Sequence, residues 1–461
     1  MQTVANRRAH APRAARHQHG FFLQGKFHNV LFILAYSEII RGVIIPPHLS
    51  HLPAPSPDAQ ALSNQLSALI ADEIKRAGGS IRFARYMELT LYAPGLGYYS
   101  AGSRKLGEGG DFVTAPEMSP LFAQCIARQW EQLHGKGLHT VLEIGAGSGA
   151  LAADLLLAME ALGCVPEHYL ILELSGDLRE RQKAAIARGA PELLNRVFWL
   201  DVLPRQFEGV ILANEVLDAT PAHRVRCTTS GLEEIGVACA NDFPSPSIPL
   251  LRSKCSLVPR GEGRTSVTVA GNVLFTELPR AVEGELLAAA TALDLPHKYE
   301  TEINLSARAL VASLSRLLTR GVMLFIDYGF PAREFYHPQR DHGTLMCHYR
   351  HHAHDDPFAF VGLQDITTHV DFSAVAVAAN QGSAELLGYT TQAQFLINCG
   401  ITELLSATPA SDARAYAPLA AQAQKLLSPA EMGELFKVIA LGKGVDVPLL
   451  GFARGDKSHT L

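Results

Sequence analysis

The stretch Val141 to Gly149 (VLEIGAGSG) constrains this chain more than any other. A short apolar run closes on an acidic residue, Glu143, and passes into a turn with glycine at 145, 147 and 149. The run reads as a buried parallel strand, and Ala150 to Leu157 (ALAADLLL) as the start of a helix. Glycines in the connection let backbone approach a ligand closely, and the helix N-terminus behind them offers free N–H groups. The spacing is G-x-G-x-G, not the G-x-G-x-x-G of dinucleotide enzymes.

The same unit recurs downstream. Tyr169 to Leu174 (YLILEL) reads as a strand, followed by a helix over Asp177 to Arg188. Val197 to Leu200, Gly209 to Ala213 and Val322 to Ile326 are further short apolar runs, the last preceded by a helix with Leu310, Leu314, Leu317 and Leu318 on one face. Leu386 to Thr390 and Leu435 to Leu441 supply two final strands with a helical insertion between them. Alternation of this kind predicts an α/β fold: an open, mostly parallel sheet with helices on both faces. Ligands in such sheets bind beyond the carboxyl ends of the strands, so Glu143, Glu173, Asp201, Asn214 and Asp327 are expected at one rim. Arg226 to Thr276 breaks the alternation and suggests a small antiparallel β insertion, irregular between Cys227 and Ser256 around Asn241-Asp242-Phe243-Pro244.

Three regions follow. Residues 1–57 read as an N-terminal extension ending in a proline-rich linker (PPHLSHLPAPSP) and are expected to be disordered. Residues 58–140 carry helices over Ala61 to Ala77 and Ile81 to Leu91, then a glycine-rich loop. Residues 141–455 form the main domain, with the β insertion at about 226–276 and lid-like loops at about 329–370. Asn29 to Pro46 is apolar, but Glu38 and Arg41 within it speak against a membrane span, so no stable membrane insertion is expected. A formal net charge of -5 leaves no basic footprint for nucleic acid. Seven scattered cysteines without a C-x-x-C point to a reduced compartment, and the expected location is the cytoplasm, ahead of the mitochondrial matrix.

Particular side chains carry the chemistry. Glu173 closes the second strand, where a carboxylate suits a ribose diol because it accepts two hydroxyl hydrogen bonds. Asp201 closes the third and is expected to face an adenine. In Asn214-Glu215-Val216-Leu217-Asp218-Ala219, the acids three apart share one face if the segment is helical. Glu215 and Asp218 could there hold a cationic acceptor or take its proton, or simply oppose a helix dipole. Gly107 to Glu117 (GEGGDFVTAPE) makes a shaped loop, offering Gly110, Asp111, Thr114 and Pro116. Cys347 to Asp356 (CHYRHHAHDD) matches no zinc spacing and includes Arg350, so no metal is expected and a polar lid or substrate loop is read instead. Asp365 to Asp371 (DITTHVD) offers Asp365 as a site acid, Asp371 being equally a helix N-terminus.

Together GEGGDFVTAPEMS, LEIGAGSGAL, ILELS, NEVLDA, FIDYG, GTLMCHYRHHAHDD and GLQDITTHVDF resemble the MidA-type methyltransferases, over roughly Leu62 to Gly455. The resemblance implies a class I, seven-stranded Rossmann-like fold with N-terminal helices, a small β insertion and helical insertions. It implies S-adenosyl-L-methionine (SAM) as cofactor, held by Glu143, Gly145, Gly147, Gly149, Glu173, Asp201, Asn214, Gly110, Thr114 and Pro116. It further implies a protein acceptor, an arginine of a respiratory complex I subunit. Glu215 and Asp218 are then the first catalytic candidates, with Asp111 and Asp365 from flanking loops. A non-catalytic assembly chaperone with a SAM site, and a small-molecule methyltransferase, fit the same motifs.

Overall fold

Strand order around Val141 determines where a ligand can sit. In the computed structural model, residues 49, 52–101, 114–240, 265–266 and 273–461 are described. The chain enters through α1 (Pro57–Arg76), whose N-cap Ser56 accepts from the Ala59 N–H, then β1 (Ile81–Arg82) and α2 (Phe83–Tyr92). After α3 (Ala115–Met118) and α4 (Pro120–His134) the alternation begins. It runs β2 (Thr140–Ile144), α5 (Ala150–Ala161), β3 (His168–Leu172), α6 (Gly176–Gly189), β4 (Val197–Leu200) and β5 (Phe207–Asn214).

A second sheet follows, built from β6 (His223–Thr228), β7 (Gly231–Cys239), β8 (Thr265–Ser266), β9 (Phe275–Ala281) and β10 (Tyr299–Ile303), with α7 (Gly284–Thr291) before β10. Its order is β10-β6-β7-β9-β8 with β1 on β7, antiparallel throughout. It extends to Ile303, beyond the expected 226–276, and Arg224 and Arg226 on β6 tie it together, pairing with Glu300 of the adjacent β10 and, across β7, with Glu277 of β9. The Asn241 to Pro244 irregularity lies outside the described residues.

The chain then returns through α8 (Leu305–Leu317) to β11 (Leu318–Phe330). A small sheet follows: β12 (Met346–Tyr349), β13 (His352–His354) and β14 (Asp365–Thr367), in the order β13-β12-β14. After β15 (Val370–Asp371) come α9 (Phe372–Gln381), β16 (Glu385–Thr391), α10 (Gln392–Asn398), α11 (Ile401–Ser406), α12 (Ala413–Leu427) and β17 (Phe436–Lys443).

The main sheet has the order β16-β17-β11-β5-β2-β3-β4, with β15 added beside β11. β11, β5, β2, β3 and β4 are parallel, while β17 runs antiparallel between β11 and β16. This is the Rossmann-like sheet of class I methyltransferases. The pleat sends alternate residues to opposite faces. Val141, Tyr169, Val210 and Leu324 enter the core beneath α4, α5 and α10; Leu142, Ile211, Met323 and Phe325 enter the core beneath α8 and α9. Each such side chain, fully buried, contributes about 1.5–3 kcal/mol of transfer free energy.

One local reading changes. The linker is not wholly unpacked: Leu49 and Leu52 are buried against Tyr349, Ala359 and Phe360, where their apolar area leaves water. Residues 1–48 lie outside the described residues. Among those that are described, no helix is long and apolar enough to cross a membrane.

Candidate active site

The order of β2 between β5 and β3 places the reversal of winding at β2, and a cavity of about 630 Å³ opens at the carboxyl ends there. Its first wall is the glycine turn. Gly145 adopts φ 70°, and a Cβ there would lie 2.8 Å from Val216 Cγ2, so only glycine lets the two loops close over the cavity floor. Glu143, Gly145, Gly147 and Ser148 line this wall. Glu143 is buried and accepts from the Tyr169 hydroxyl at 2.8 Å; burial pushes its pKa up to about 7.

Glu173 lines the next wall. One carboxylate oxygen accepts from the Ser175 N–H and the other from the Gln182 amide, both at 2.9 Å. Two acceptors of about four lone-pair sites are thus used, which leaves capacity for hydroxyl donors. Thr114, Pro116, Glu117 and Met118, from the N-cap and body of α3, form the facing side. Ser148 donates to Glu117 and ties α3 to the glycine turn.

The third wall is the segment after β5, and it departs from the sequence reading. Residues 215–218 form a turn, not a helix, and Glu215 sits at φ 51°. A left-handed conformation in a residue other than glycine costs on the order of 1–3 kcal/mol and persists only where its surroundings impose it. Asp327, within β11 just past its pairing with β5, supplies that constraint. Its Oδ2 accepts from the N–H groups of Val216 (3.2 Å), Leu217 (2.9 Å) and Asp218 (3.3 Å), and the Glu215 N–H donates to the Ile326 carbonyl at 2.9 Å. The acids are therefore brought together by a neighbouring strand rather than by helical spacing.

Asp218 is buried, Glu215 is partly buried, and both line the cavity. Burial, then the neighbouring Asp218, pushes Glu215 up to about 8, opposed by donation from Asn214 Nδ2 and the Ala115 N–H. Burial pushes Asp218 up to about 6, opposed by the Tyr328 hydroxyl, which donates to its Oδ2 at 2.5 Å. Asp218 Oδ1 and Asn214 Oδ1 are buried without a hydrogen-bond partner in the chain, which leaves acceptors aimed at whatever occupies this site. Burial, Asp218 and Glu215 raise Asp327 too.

Aromatic residues surround this acidic end. Tyr92 stacks on Tyr99 with ring centroids 5.5 Å apart, and the Tyr99 hydroxyl donates to both oxygens of Asp365 at 3.0 Å. Tyr328 meets His369 edge to face at 5.2 Å. Tyr92, Tyr99, Tyr328, His369 and Asp365 all line the cavity, joined by Met346 and His348 from β12 and by Met432, Leu435 and Phe436 before and at β17. His348 thus stands in the wall, while Asp371 caps α9 by accepting from the Ala374 N–H at 3.0 Å.

The sequence-selected residues divide clearly. Glu143, Gly145, Gly147, Glu173, Asn214, Thr114, Pro116, Glu215, Asp218 and Asp365 all line one cavity. Gly149 stands behind it, as the N-cap of α5. Asp201 is a correction: its side chain is 83% exposed and binds Arg179 at 2.6 Å, outside the cavity lining. Arg179 on α6 also donates to the carbonyls of Glu173 and Leu200, so this cation draws the strand-end carboxylate away from the rim. Gly110 and Asp111 lie outside the described residues. Sequence reasoning missed Tyr92, Tyr99 and Tyr328, which enter from separate elements; Tyr328 and His369 stood in noted motifs, FIDYG and DITTHVD, but neither was given a place in the site.

A model of an S-adenosyl-L-methionine-dependent methyltransferase family matches residues 121–390. The chain belongs to this family. A solved structure from Burkholderia thailandensis, bound to S-adenosyl-homocysteine, is 49% identical with a TM-score of 0.80, covering 89% of this chain and 100% of that one. A second from the same organism is 48% identical with a TM-score of 0.78 and the same coverage. Among curated relatives, the mitochondrial protein arginine methyltransferase NDUFAF7 of Mus musculus is 28% identical over 83% of this chain and 86% of its own length. Its Drosophila melanogaster homologue is 25% identical over 87% and 92%. The chain is therefore a SAM-dependent methyltransferase, and the cavity suits that cofactor: a glycine turn, a strand-end carboxylate with spare lone pairs, and an orphaned amide oxygen on Asn214.

Proposed function

We propose that this methyltransferase acts on a protein side chain, an arginine guanidinium. The observation that carries the reading is the convergence of Glu215, Asp218 and Asp365 with Tyr92, Tyr99 and Tyr328 on one cavity. Glu215 and Asp218, raised by burial, regain their charge beside a cation, and aromatic faces favour one by their ring quadrupole. When bound, SAM supplies a methyl group activated on a sulfonium. The protein's work is then alignment and proton uptake. Asp218 and Asp365 orient the planar guanidinium, whose fork of N–H donors matches carboxylate geometry. Glu215 accepts the proton that the acceptor nitrogen loses as its new N–C bond forms.

The relatives named as protein arginine methyltransferases support this acceptor class. The motif resemblance extends the proposal to a respiratory complex I subunit as partner. Mass spectrometry of complex I subunits from cells with and without the protein tests it. Methylarginine present only with the protein is expected. Unchanged arginine masses beside a methylated small molecule would refute the acceptor assigned here.

A further inference from the structure

Gln182 belongs to no wall of the cavity, yet its side chain joins two of them. It projects from α6, is fully buried, and spends its carboxamide on three partners. Nε2 donates to the Gly147 carbonyl at 3.1 Å and to Glu173 Oε2 at 2.9 Å, while Oε1 accepts from the Trp199 indole N–H at 2.8 Å. An indole can only donate, so Trp199 fixes which end of the amide faces the glycine turn and the carboxylate. Gly149 allows this approach: a Cβ there would stand 2.8 Å from Gln182 Cα.

We infer that Gln182 is a positioning residue for the cofactor, bracing the Gly147 backbone and the Glu173 carboxylate as one frame through hydrogen bonds to both. The frame is set before any ligand arrives. Glu173 is kept from rotating toward the exposed Arg179–Asp201 pair, and its remaining lone pairs stay turned to the cavity. The inference stands apart from the acceptor reading, since it concerns cofactor affinity alone.

Calorimetry with S-adenosyl-homocysteine on the full chain tests it. Gln182→Leu keeps the volume and removes all three bonds; affinity should fall ten- to a hundredfold, with KM for SAM rising and kcat at saturation nearly unchanged. Gln182→Glu should lose affinity most at pH 8 and regain it toward pH 5.5, because only the protonated acid can donate to Glu173. A role in packing alone would not produce that pH dependence. Trp199→Phe, which leaves the amide in place but free to turn, should weaken binding severalfold and keeps the inference testable if Gln182→Leu does not fold. Affinity within twofold of wild type in folded Gln182→Leu or in Trp199→Phe, or a Gln182→Glu deficit independent of pH, would overturn it.

Discussion

At the scale of single residues, the site is governed by carboxyl groups withdrawn from water. Glu215, pushed up to about 8, and Asp218, up to about 6, give up their protons across the interval from about 6 to about 8. We predict that kcat/KM rises with pH across the interval from about 6 to about 8, since only the deprotonated acids orient and accept. Glu215→Gln should keep the fold and nearly normal cofactor affinity, yet lower methyl transfer by on the order of 10²–10⁴ and flatten that profile. An undiminished rate would assign the proton to another group. Glu173→Ala should weaken SAM binding by about 1–3 kcal/mol, the usual result of leaving ligand hydroxyls unpaired. Calorimetry decides this, and normal affinity would reduce Glu173 to a strand-end brace.

Elements show what a linear reading sees and where it stops. Acidic or polar strand ends at Glu143, Glu173 and Asn214 were legible because the cause is local: a parallel strand delivers its end to the rim. The conformation of residues 215–218 was not legible, because it is imposed by Asp327, 109 to 111 positions away in sequence. Asp201 misled for a similar reason, its partner being a cation on the preceding helix. The aromatic side chains come from α2, the loop after it, β11 and the segment before β15, which share no spacing. A test follows at this scale. Asp327→Ala strands three N–H groups of the 216–218 turn and should cost at least about 3 kcal/mol by urea unfolding, at about 1–3 kcal/mol per orphaned group. Asp327→Asn retains an acceptor oxygen and should recover much of that loss. Equal stability of the two variants would mean the turn stands without its brace.

Over the whole molecule, the same burial makes stability depend on pH in an uncommon direction. Glu143, Glu215, Asp218 and Asp327 all have folded pKa values above their ordinary range. The folded state then binds more protons than the unfolded one between the two values, and the slope of unfolding free energy with pH is negative there. Their contribution is fully present below about pH 4 and is lost as pH rises through about 6 to 8. The ligand-free protein should show a falling Tm from pH 5 to 8, and Glu143→Gln, neutral throughout, should flatten the decline. A Tm that rises over this range would contradict the buried-carboxyl picture. The sheet itself was read at this scale from alternation alone, whereas the second sheet's full width is tied together by ion pairs between β6, β9 and β10 that no periodicity encodes.

The antiparallel insertion of β17 between β11 and β16 carries a consequence for synthesis. On the ribosome, β2 to β5 and β11 emerge long before Phe436, so the glycine-turn wall is assembled while β11 still exposes an unpaired edge. Such an edge is a template for pairing with another chain. The last cavity residues to emerge, Met432, Leu435 and Phe436, complete a wall beside Tyr328, so the cavity that Tyr92, Tyr99 and the glycine turn begin stays open until β17 is made. A chain halted before Phe436 should therefore be sticky and protease-sensitive, and unable to methylate. Limited proteolysis of such a truncation, with and without S-adenosyl-homocysteine, would show whether early ligand capture shields the nascent protein, and a soluble, protease-resistant fragment would refute the dependence on β17.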